Sequence, residues 1–486
     1  MEPAAAAHPP ADADPSLWNA DLAPTPPEKR TWTKWNVAAL WVGMAVCIPT
    51  YTLAASMIKD GMSVAQAILT VCLGNVIVLV PMLLNAHAGT RYGIPFPVFA
   101  RAAFGTRGAN VPAVARALVA CGWFGIQTWI GGGSLYVILV RLGAIPPDLA
   151  RLPIGINAGE LGCFLAFWAV NVFFIWRGME SIKWLETLAA PFLIVAGLGL
   201  LLWARSRAGG FGPMFSARGL SGPAFWKVFW PYLTGMVGFW STLALNIPDF
   251  SRYCRSQKDQ IAGQTLGLPT TMTLFSFIGA AVTSATVVIF KGDPIWDPNQ
   301  VVGKFSSPLV VTLGLLGLAV ATLSTNIAAN VVSPANDFSN VSPRRISYKL
   351  GGYITAGIGL ALFPWKLMDN YVFVWLNGYG GLLGAVGGVL VADYWIVRRR
   401  VLVVADLYRK DGAYQYQGGV NPWALVALCA GIAPNVPGFL HAIDAWPDAP
   451  AFFVALYAWT WFIGFIVAGA VYALGMGTVA AKETRA

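Results

Sequence analysis

Apolar stretches of about 20 residues recur along the whole chain, and each is long enough to cross a bilayer as a helix. Backbone groups in hydrocarbon must satisfy their own hydrogen bonds, so a spanning segment must be helical or part of a closed barrel. Only 11% of the 486 residues are charged, against about 25% in a soluble protein. The sequence therefore predicts an all-α integral membrane protein with about twelve transmembrane helices. The predicted spans are residues 36–58, 62–86, 112–140, 161–176, 185–204, 226–247, 264–290, 308–335, 348–364, 371–396, 422–440 and 451–475.

Lysine and arginine are distributed unevenly between the two ends of the predicted bundle. With both termini inside, most of the 32 Lys and Arg residues fall in inner segments, as the positive-inside rule requires. We therefore expect a multi-pass protein of the cell membrane (inner or plasma membrane) with both termini cytoplasmic. One outer loop, with Arg205, Arg207, Arg218 and Lys227, goes against the rule. The net charge of +10 needs no nucleic-acid partner to explain it.

The segments outside the spans are short and carry no sign of a soluble domain. Residues 1–30 are rich in Pro, Ala and Asp and lack the apolar core of a signal peptide, so we expect a disordered cytoplasmic tail. A transport core at 31–400, two additional C-terminal helices at 401–476 and a cytoplasmic tail at 477–486 complete the predicted organisation. The six Cys residues have no CxxC spacing, which argues against a disulfide framework or a zinc site.

Two predicted spans are interrupted at matching places. Span one contains Pro49 in mid-span, and span six contains Gly235 and Gly238. Gly and Pro loosen the helical hydrogen bonds, and the freed backbone groups must then face a cavity. Breaks five helices apart are typical of two five-helix repeats of inverted topology with a binding site between them, here at about 36–205 and 226–396. Ordinary kinked helices remain the alternative, because Gly and Pro are common in membrane spans.

Span three carries an indole and a primary amide on one face. Trp123 and Gln127 are four residues apart, so their side chains lie one turn from each other. The indole can stack on a flat heterocycle, and the amide offers both a donor and an acceptor. The alternative is a membrane Trp beside a Gln that bonds to another helix.

Span eight is uncharged from 310 to 335, yet it concentrates hydroxyls and amides. Helical spacing places Ala321, Ser324 and Thr325 on one face, while Asn326 and Asn330 form a second pair turned away from it. Two hydroxyls beside the freed carbonyls of a broken helix would make an all-oxygen site for a hard cation. The alternative is that these hydroxyls bond back to their own helix.

Several motifs resemble the nucleobase:cation symporter-1 family, the permeases for uracil, cytosine, purines, hydantoins and allantoin. The resemblance spans about residues 30 to 400, most of the predicted membrane domain. It implies a ten-helix core of two inverted repeats plus two extra helices, and alternating access driven by sodium or protons. The motifs are WVGMAVCIPTYTLAASMI, GTRYGIPFPVFARAAFG, GWFGIQTWIGG, FWSTLALNIPDFSRY, STNIAANVVSPANDF and GGVLVADYWIVRRR.

The resemblance also implies roles for individual residues. It assigns substrate stacking to the indoles of Trp123 and Trp240, and substrate hydrogen bonds to the amides of Gln127 and Asn330. Cys47 stands in the break of span one, where some members carry an amide, which removes a donor and an acceptor from one edge of the substrate.

The implied cation site lies between spans one and eight. It consists of the Ser324 and Thr325 hydroxyls and the carbonyls of Ala321, Gly43 and Val46. Phe239, which precedes Trp240, joins the substrate site through its backbone, because a smaller residue can occur at that position.

These observations together predict a symporter for a neutral, planar nitrogen heterocycle. We expect no charged side chain at depth in spans one, three, six and eight, whereas a site for a zwitterion or an organic cation would more often contain one. The expected lack of a buried carboxylate favours sodium over protons as the transported cation. Apart from this cation, no cofactor is expected. The alternatives are an amino-acid or osmolyte transporter of the same fold and a proton-coupled permease. No nucleophile with its base stands at depth, so an enzyme is not expected.

Overall fold

The structure is a computed structural model that describes residues 12–177, 183–369 and 371–483. These residues fold predominantly into α-helices, which confirms the predicted fold class. In the first half the helices are α1 (Lys34–Ala45), α2 (Ile48–Lys59), α3 (Val64–Tyr92), α4 (Phe96–Phe104), α5 (Asn110–Arg141), α6 (Ala158–Arg177), α7 (Lys183–Ala208), α8 (Phe211–Met214), α9 (Gly222–Phe239), α10 (Ser241–Asn246) and α11 (Pro248–Ser251).

The second half continues the same pattern of long helices separated by short ones. These helices are α12 (Gln257–Phe290), α13 (Pro298–Gly303), α14 (Pro308–Asn330), α15 (Val332–Val341), α16 (Tyr348–Ala361), α17 (Pro364–Asp369), α18 (Asn377–Val391), α19 (Pro422–Ile432), α20 (Val436–Ala442), α21 (Ala451–Leu456) and α22 (Thr460–Glu483). Turns of π-helix, Tyr371–Leu376 and Ala392–Val397, flank α18. Short 3-10 turns lie at Pro27–Lys29, Ala405–Tyr408, Ala433–Asn435 and Tyr457–Trp459.

Within the described ranges, nine helices are long and apolar enough to cross a membrane, and the bent pair α1 and α2 raises the number to ten. The two other predicted spans correspond to shorter or more polar helices. Helix α16 has only 14 residues, and α9 contains Lys227 and Pro231. The membrane-spanning bundle is therefore confirmed, while the count of twelve and the two repeats stay predictions.

Span one is broken where the sequence predicts. Helix α1 ends at Ala45, α2 begins at Ile48, and the two helices are bent by 59°. Pro49 has no N–H to donate to the Ala45 carbonyl. That carbonyl accepts instead from the N–H of Cys47 at 3.0 Å, and Cys47 adopts an extended conformation (φ −145°, ψ 160°).

Span six is also interrupted, at Trp240, which lies between α9 and α10 with φ −99° and ψ 5°. The interruption falls two residues beyond Gly238, so the predicted glycines are not the break itself. A Cβ at Gly238 would lie 2.8 Å from the Leu376 carbonyl oxygen. The glycine is therefore needed for the close approach of α9 to the helical turn before α18. The two broken spans meet where the Trp41 and Trp240 ring centroids lie 5.1 Å apart.

The N-terminal segment from Asp12 to Arg30 packs against the bundle, which differs from the disorder expected over 1–30. Leu22 is fully buried, the Asp14 N–H donates to the Tyr408 carbonyl at 2.8 Å, and Asn19 Nδ2 donates to Ser339 Oγ at 2.7 Å. A few apolar and amide side chains anchor the segment, although its average composition is that of a disordered chain. Residues 1–11 lie outside the described part of the chain.

A fully buried ion pair joins α5 to α15. Arg116 Nη1 lies 3.2 Å from Asp337 Oδ2, and both side chains are 0% exposed. Arg116 lies near the start of predicted span three and Asp337 lies two residues beyond predicted span eight, so this buried pair stands at the ends of the spans and not at depth. The two charges compensate each other there, because an isolated buried charge would be far more costly. Since Asp337 is a buried carboxylate, the argument that favoured sodium through the absence of one no longer holds.

Candidate functional site

Trp123 lies in the middle of α5, and aromatic side chains from other parts of the chain surround it and form a cluster with it. Its ring centroid is 5.1 Å from that of Phe239 and 6.1 Å from that of Trp375. Its Nε1 donates to the Tyr379 hydroxyl at 3.2 Å. Both ring contacts are edge-to-face, the geometry that aromatic quadrupoles prefer. Helices α5 and α9 and the start of α18 together orient this indole.

Trp240, at the break of span six, is the second predicted stacking residue. Its ring meets the edge of Trp41 at 88° between planes, and its centroid is 5.0 Å from that of Phe239. Its Nε1 is buried and has no hydrogen-bond partner among the described residues. A buried donor without a partner costs about 1–3 kcal/mol, so this N–H is available to an acceptor on a ligand. Phe239 contacts both predicted stacking residues through its ring, not only through its backbone.

Gln127 lies one turn beyond Trp123 on α5 and is 4% exposed. Its Oε1 is buried and has no hydrogen-bond partner within the described ranges. The sequence left open a glutamine that bonds to another helix, but this oxygen makes no such bond to a described residue. An unpartnered amide oxygen beside an indole can accept a hydrogen bond from an N–H of a ring ligand.

Asn330, the last residue of α14, is connected to a polar network between helices. Its Nδ2 donates to Asn326 Oδ1 at 3.0 Å. Asn326 Nδ2 in turn lies within hydrogen-bond distance of Thr128 Oγ1 and Asn171 Oδ1, both at 3.1 Å. Asn326 therefore holds α14 against α5 and α6, and it fixes the amide of Asn330 while leaving the Asn330 carbonyl oxygen free to accept.

Cys47 is buried in the break of span one, directly before α2. Its Sγ lies 3.3 Å from Thr50 Oγ1, and Thr50 Oγ1 lies 3.4 Å from Met272 Sδ. A thiol is a weak donor and a weak acceptor. The Cys47 side chain therefore offers less hydrogen bonding at this position than an amide would.

The predicted cation ligands lie on two helices that pack against each other, α1 and α14. No backbone N–H of the described residues bonds to the carbonyls of Gly43 or Val46, because the N–H of Cys47 donates to the Ala45 carbonyl and the N–H of Thr50 donates to the Cys47 carbonyl. Ser324 Oγ makes no hydrogen bond to any described residue. Thr325 Oγ1 donates to the Ala321 carbonyl at 3.1 Å. This is the back-bonding that the sequence left open, yet it leaves the hydroxyl lone pairs free for a cation.

A cavity of about 730 Å³ leads from the bundle end opposite the chain termini toward these residues. Its wall includes Ile48, next to Cys47, and Ile130, three residues beyond Gln127. Polar groups also line it, among them Asp60, whose Oδ2 accepts from the Tyr232 hydroxyl at 2.8 Å. The cavity therefore reaches the residue that follows Cys47 and the turn of α5 that follows Gln127.

Comparison with known proteins identifies the family of this arrangement. Residues 24–464 match the family described as permeases for cytosine and purines, uracil, thiamine and allantoin. The chain belongs to this permease family. The match confirms the resemblance to the nucleobase:cation symporter-1 family, and it makes the chain a membrane transporter and not an enzyme.

Relatives of the permease come from plants and bacteria. The chain is 45% identical to a purine-uracil permease of Arabidopsis thaliana, over 97% of this chain and 80% of the relative. It is 40% identical to an allantoin permease of Bacillus subtilis, over 95% and 93%. It is also similar to the solved structure of inward-facing Mhp1, with 28% identity, a TM-score of 0.78 and coverage of 97% and 96%. A closed conformation of Mhp1 with bromovinylhydantoin bound gives a TM-score of 0.75 at 27% identity, with coverage of 96% and 97%.

Three aromatic residues of the cluster were not predicted from the sequence of this permease. Trp375 and Tyr379 contact Trp123, and Trp41 contacts Trp240. The four-residue spacing of Trp375 and Tyr379 was a usable signal, because it places two aromatic rings on one face at the start of span ten. Trp41 gave no such signal, since its role depends on the meeting of two broken spans.

Proposed function

We propose that this permease imports a neutral, planar nitrogen heterocycle, of the nucleobase, allantoin or hydantoin type, together with Na⁺. The observation that supports this most is the pair of unpartnered buried groups, Gln127 Oε1 and Trp240 Nε1, in an aromatic cluster. One acceptor and one donor match the N–H and C=O groups on the edge of such a ring. The relatives include a purine-uracil permease and an allantoin permease, which supports the same substrate class.

We also propose that the permease lies in the inner or plasma membrane with both termini cytoplasmic. The distribution of Lys and Arg supports this orientation. In this orientation the cavity of about 730 Å³ opens to the outside. Substrate would enter there and pass Ile48 and Ile130 to reach Trp123.

Equilibrium binding to the purified permease tests the substrate class. Uracil, allantoin, a hydantoin and a purine form one panel, and zwitterionic amino acids and betaine-like osmolytes form the other. We expect saturable binding within the first panel only, because the aromatic cluster offers stacking and amide contacts to a ring. Binding confined to the second panel would replace this proposal with the amino-acid or osmolyte alternative.

Proton coupling is the alternative for the cation, and Asp297 is the observation that favours it. Asp297 lies in the cavity wall, between the spanning helices α12 and α14, and its Oδ1 accepts from the Asn299 N–H at 2.9 Å. Burial raises the pKa of this carboxyl to about 6. It is therefore mainly protonated below pH 6 and ionised above it.

Asp297→Asn separates the two couplings. If Na⁺ is the coupled ion, we expect the variant to keep the sodium dependence of substrate binding. Any change in substrate affinity between pH 5 and 7 that arises from Asp297 should disappear in the variant, because asparagine does not titrate. Binding isotherms across that pH range, in sodium and in choline, provide the measurement. Loss of the sodium dependence of substrate binding in Asp297→Asn would contradict Na⁺ as the coupled ion.

Cys47→Asn and Cys47→Gln should change the ranking of substrates. The amide adds a donor and an acceptor to an edge that a thiol serves weakly. We expect heterocycles with an additional ureido group, such as allantoin, to gain affinity relative to uracil. Competition binding measures the ranking, and Cys72→Asn is the control because Cys72 is only partly buried on α3.

In the wild type, bound substrate should also slow maleimide labelling of Cys47. An unchanged ranking together with substrate-independent labelling would place Cys47 outside the site.

A further inference from the structure

A second large cavity lies among α7, α12, α13 and α14, and it shares Ile48 in its wall with the cavity of about 730 Å³. Its volume is about 720 Å³. Its wall is mainly apolar and includes Leu200, Trp203, Phe275, Phe290, Val302 and Leu318. None of the described residues that line it is Asp or Glu.

The cavity lies beside surface that faces lipid. Leu202, next to Trp203 on α7, and Leu313, next to Gly314 on α14, are each 59% exposed. Large apolar side chains that are exposed on membrane-spanning helices contact the acyl chains of lipids. The apolar interior can therefore be reached from the hydrocarbon of the bilayer.

Two cations, Arg207 on α7 and Lys304 just after α13, stand in the same cavity wall. Both side chains are exposed, and neither forms an ion pair with a described residue. Arg207 belongs to the outer basic loop that goes against the positive-inside rule. The topology of the chain thus gives no reason for these charges, whereas an anionic ligand at the cavity would.

We propose that this cavity binds one anionic phospholipid, with an acyl chain in the apolar interior and the phosphate against Arg207 and Lys304. Arginine and lysine are the side chains that recognise phosphate oxygens, and the apolar wall suits a hydrocarbon chain. A polar heterocycle would leave its N–H and C=O groups unpaired against this wall. Ile48 and Tyr51 of α2 also line the cavity, so the lipid would contact the outer half of broken span one.

Removing the two cations is the first test. The full-length permease is incubated with phosphatidylglycerol or with phosphatidylcholine of the same acyl chains, and bound lipid is counted by native mass spectrometry. We expect the wild type to retain phosphatidylglycerol preferentially. Arg207→Gln and Lys304→Gln should each weaken that retention about fivefold. Arg205→Gln is the matched control, because Arg205 lies on the same helix but contacts the Phe211 ring at 5.1 Å.

Filling the cavity is the second, independent test. Gly199 lines the cavity, and a Cβ added there meets no atom within 4 Å. Gly199→Phe should therefore fold, keep both cations and lose phosphatidylglycerol retention. Gly162→Phe is the control, since a Cβ at Gly162 on α6 also meets no atom within 4 Å and lies outside the cavity.

The proposal commits to a lipid, and the outcomes separate it from a site for a free anion. Inorganic phosphate at millimolar concentration should not displace the lipid, because it lacks the acyl chain. Equal retention of the two lipids, retention unchanged in both cation variants, or retention unchanged in Gly199→Phe would each overturn it. Displacement of the lipid by inorganic phosphate would show that only the two surface cations bind the anion, and it would overturn the lipid site. All readouts are lipid retention, so they do not depend on which substrate the permease transports.

Discussion

Trp123→Ala is expected to weaken substrate binding by about 1–3 kcal/mol, which is the typical cost of losing an aromatic ring that stacks on a base. The physical reason is that Trp123 is held edge-on by Phe239 and Trp375 and anchored through the Tyr379 hydroxyl. This orientation keeps one face of the indole fixed for a flat ligand. Isothermal titration of the purified variant with the substrate that the panel identifies gives the affinity.

The control for this prediction is Trp461→Ala. Trp461 and Trp123 are both 5% exposed, but Trp461 lies on α22 and packs against Phe465. Its loss should lower the melting temperature without changing affinity. If Trp123→Ala lowers the melting temperature in the same way and leaves affinity unchanged, span three does not form the substrate site.

Gln127→Leu is also expected to weaken substrate binding, but without a loss of stability. Leucine removes the unpartnered Oε1, so we expect the free energy of unfolding to stay the same or to rise. Substrate affinity should nevertheless fall, since the amide would no longer accept from the ring. A purely structural glutamine would show the reverse pattern, namely lost stability and unchanged binding.

Ser324→Ala and Thr325→Ala are each expected to reduce the effect of sodium on substrate affinity, by a coupling of about 1–3 kcal/mol at most. The carbonyls of Gly43 and Val46 lack backbone donors, and the two hydroxyls lie on the helix that packs against α1. Replacing either residue by alanine would therefore remove one of the few oxygen ligands of the sodium ion. Linkage requires the reciprocal effect, so substrate should also tighten sodium binding.

Two variants on the same helix make this test specific. Thr325→Ser keeps the hydroxyl and should keep the coupling. Thr322→Ala is the control, because Thr322 is equally buried and its Oγ1 donates to the Leu318 carbonyl at 2.7 Å. Affinities are measured in sodium and in choline. Wild-type affinity that is the same in both salts, at a pH where a proton gradient still drives uptake, would exclude sodium as the coupling ion.

Local rules predicted the parts of the fold that depend on neighbouring residues. Pro49 removes a backbone donor whatever surrounds it, so the break in span one could be located from the sequence. The spacing of Trp123 and Gln127 fixes a common helix face in the same way. Span six is interrupted at Trp240, close to the glycines that the sequence singled out, although Gly238 itself serves a tertiary contact with residue 376.

Features that depend on distant residues could not be read from the sequence. Arg116 and Asp337 are 221 positions apart, and only the packing of α5 on α15 pairs them. The same holds for Trp375, whose ring reaches Trp123 from another span, and for Leu22, which a disordered composition conceals. In each case the sequence supplied a plausible local interpretation, and a tertiary contact decided otherwise.

Uptake into proteoliposomes tests whether the permease couples heterocycle transport to sodium. The purified permease is reconstituted and offered labelled uracil, allantoin, a hydantoin and a purine, with and without an inward sodium gradient. We predict that at least one heterocycle accumulates above its external concentration only when the sodium gradient is present, and that Trp123→Ala lowers the initial rate of this uptake at the same external concentration. Accumulation of none of the four heterocycles under a sodium gradient, or accumulation that a proton gradient drives without sodium, would contradict sodium-coupled transport of a heterocycle.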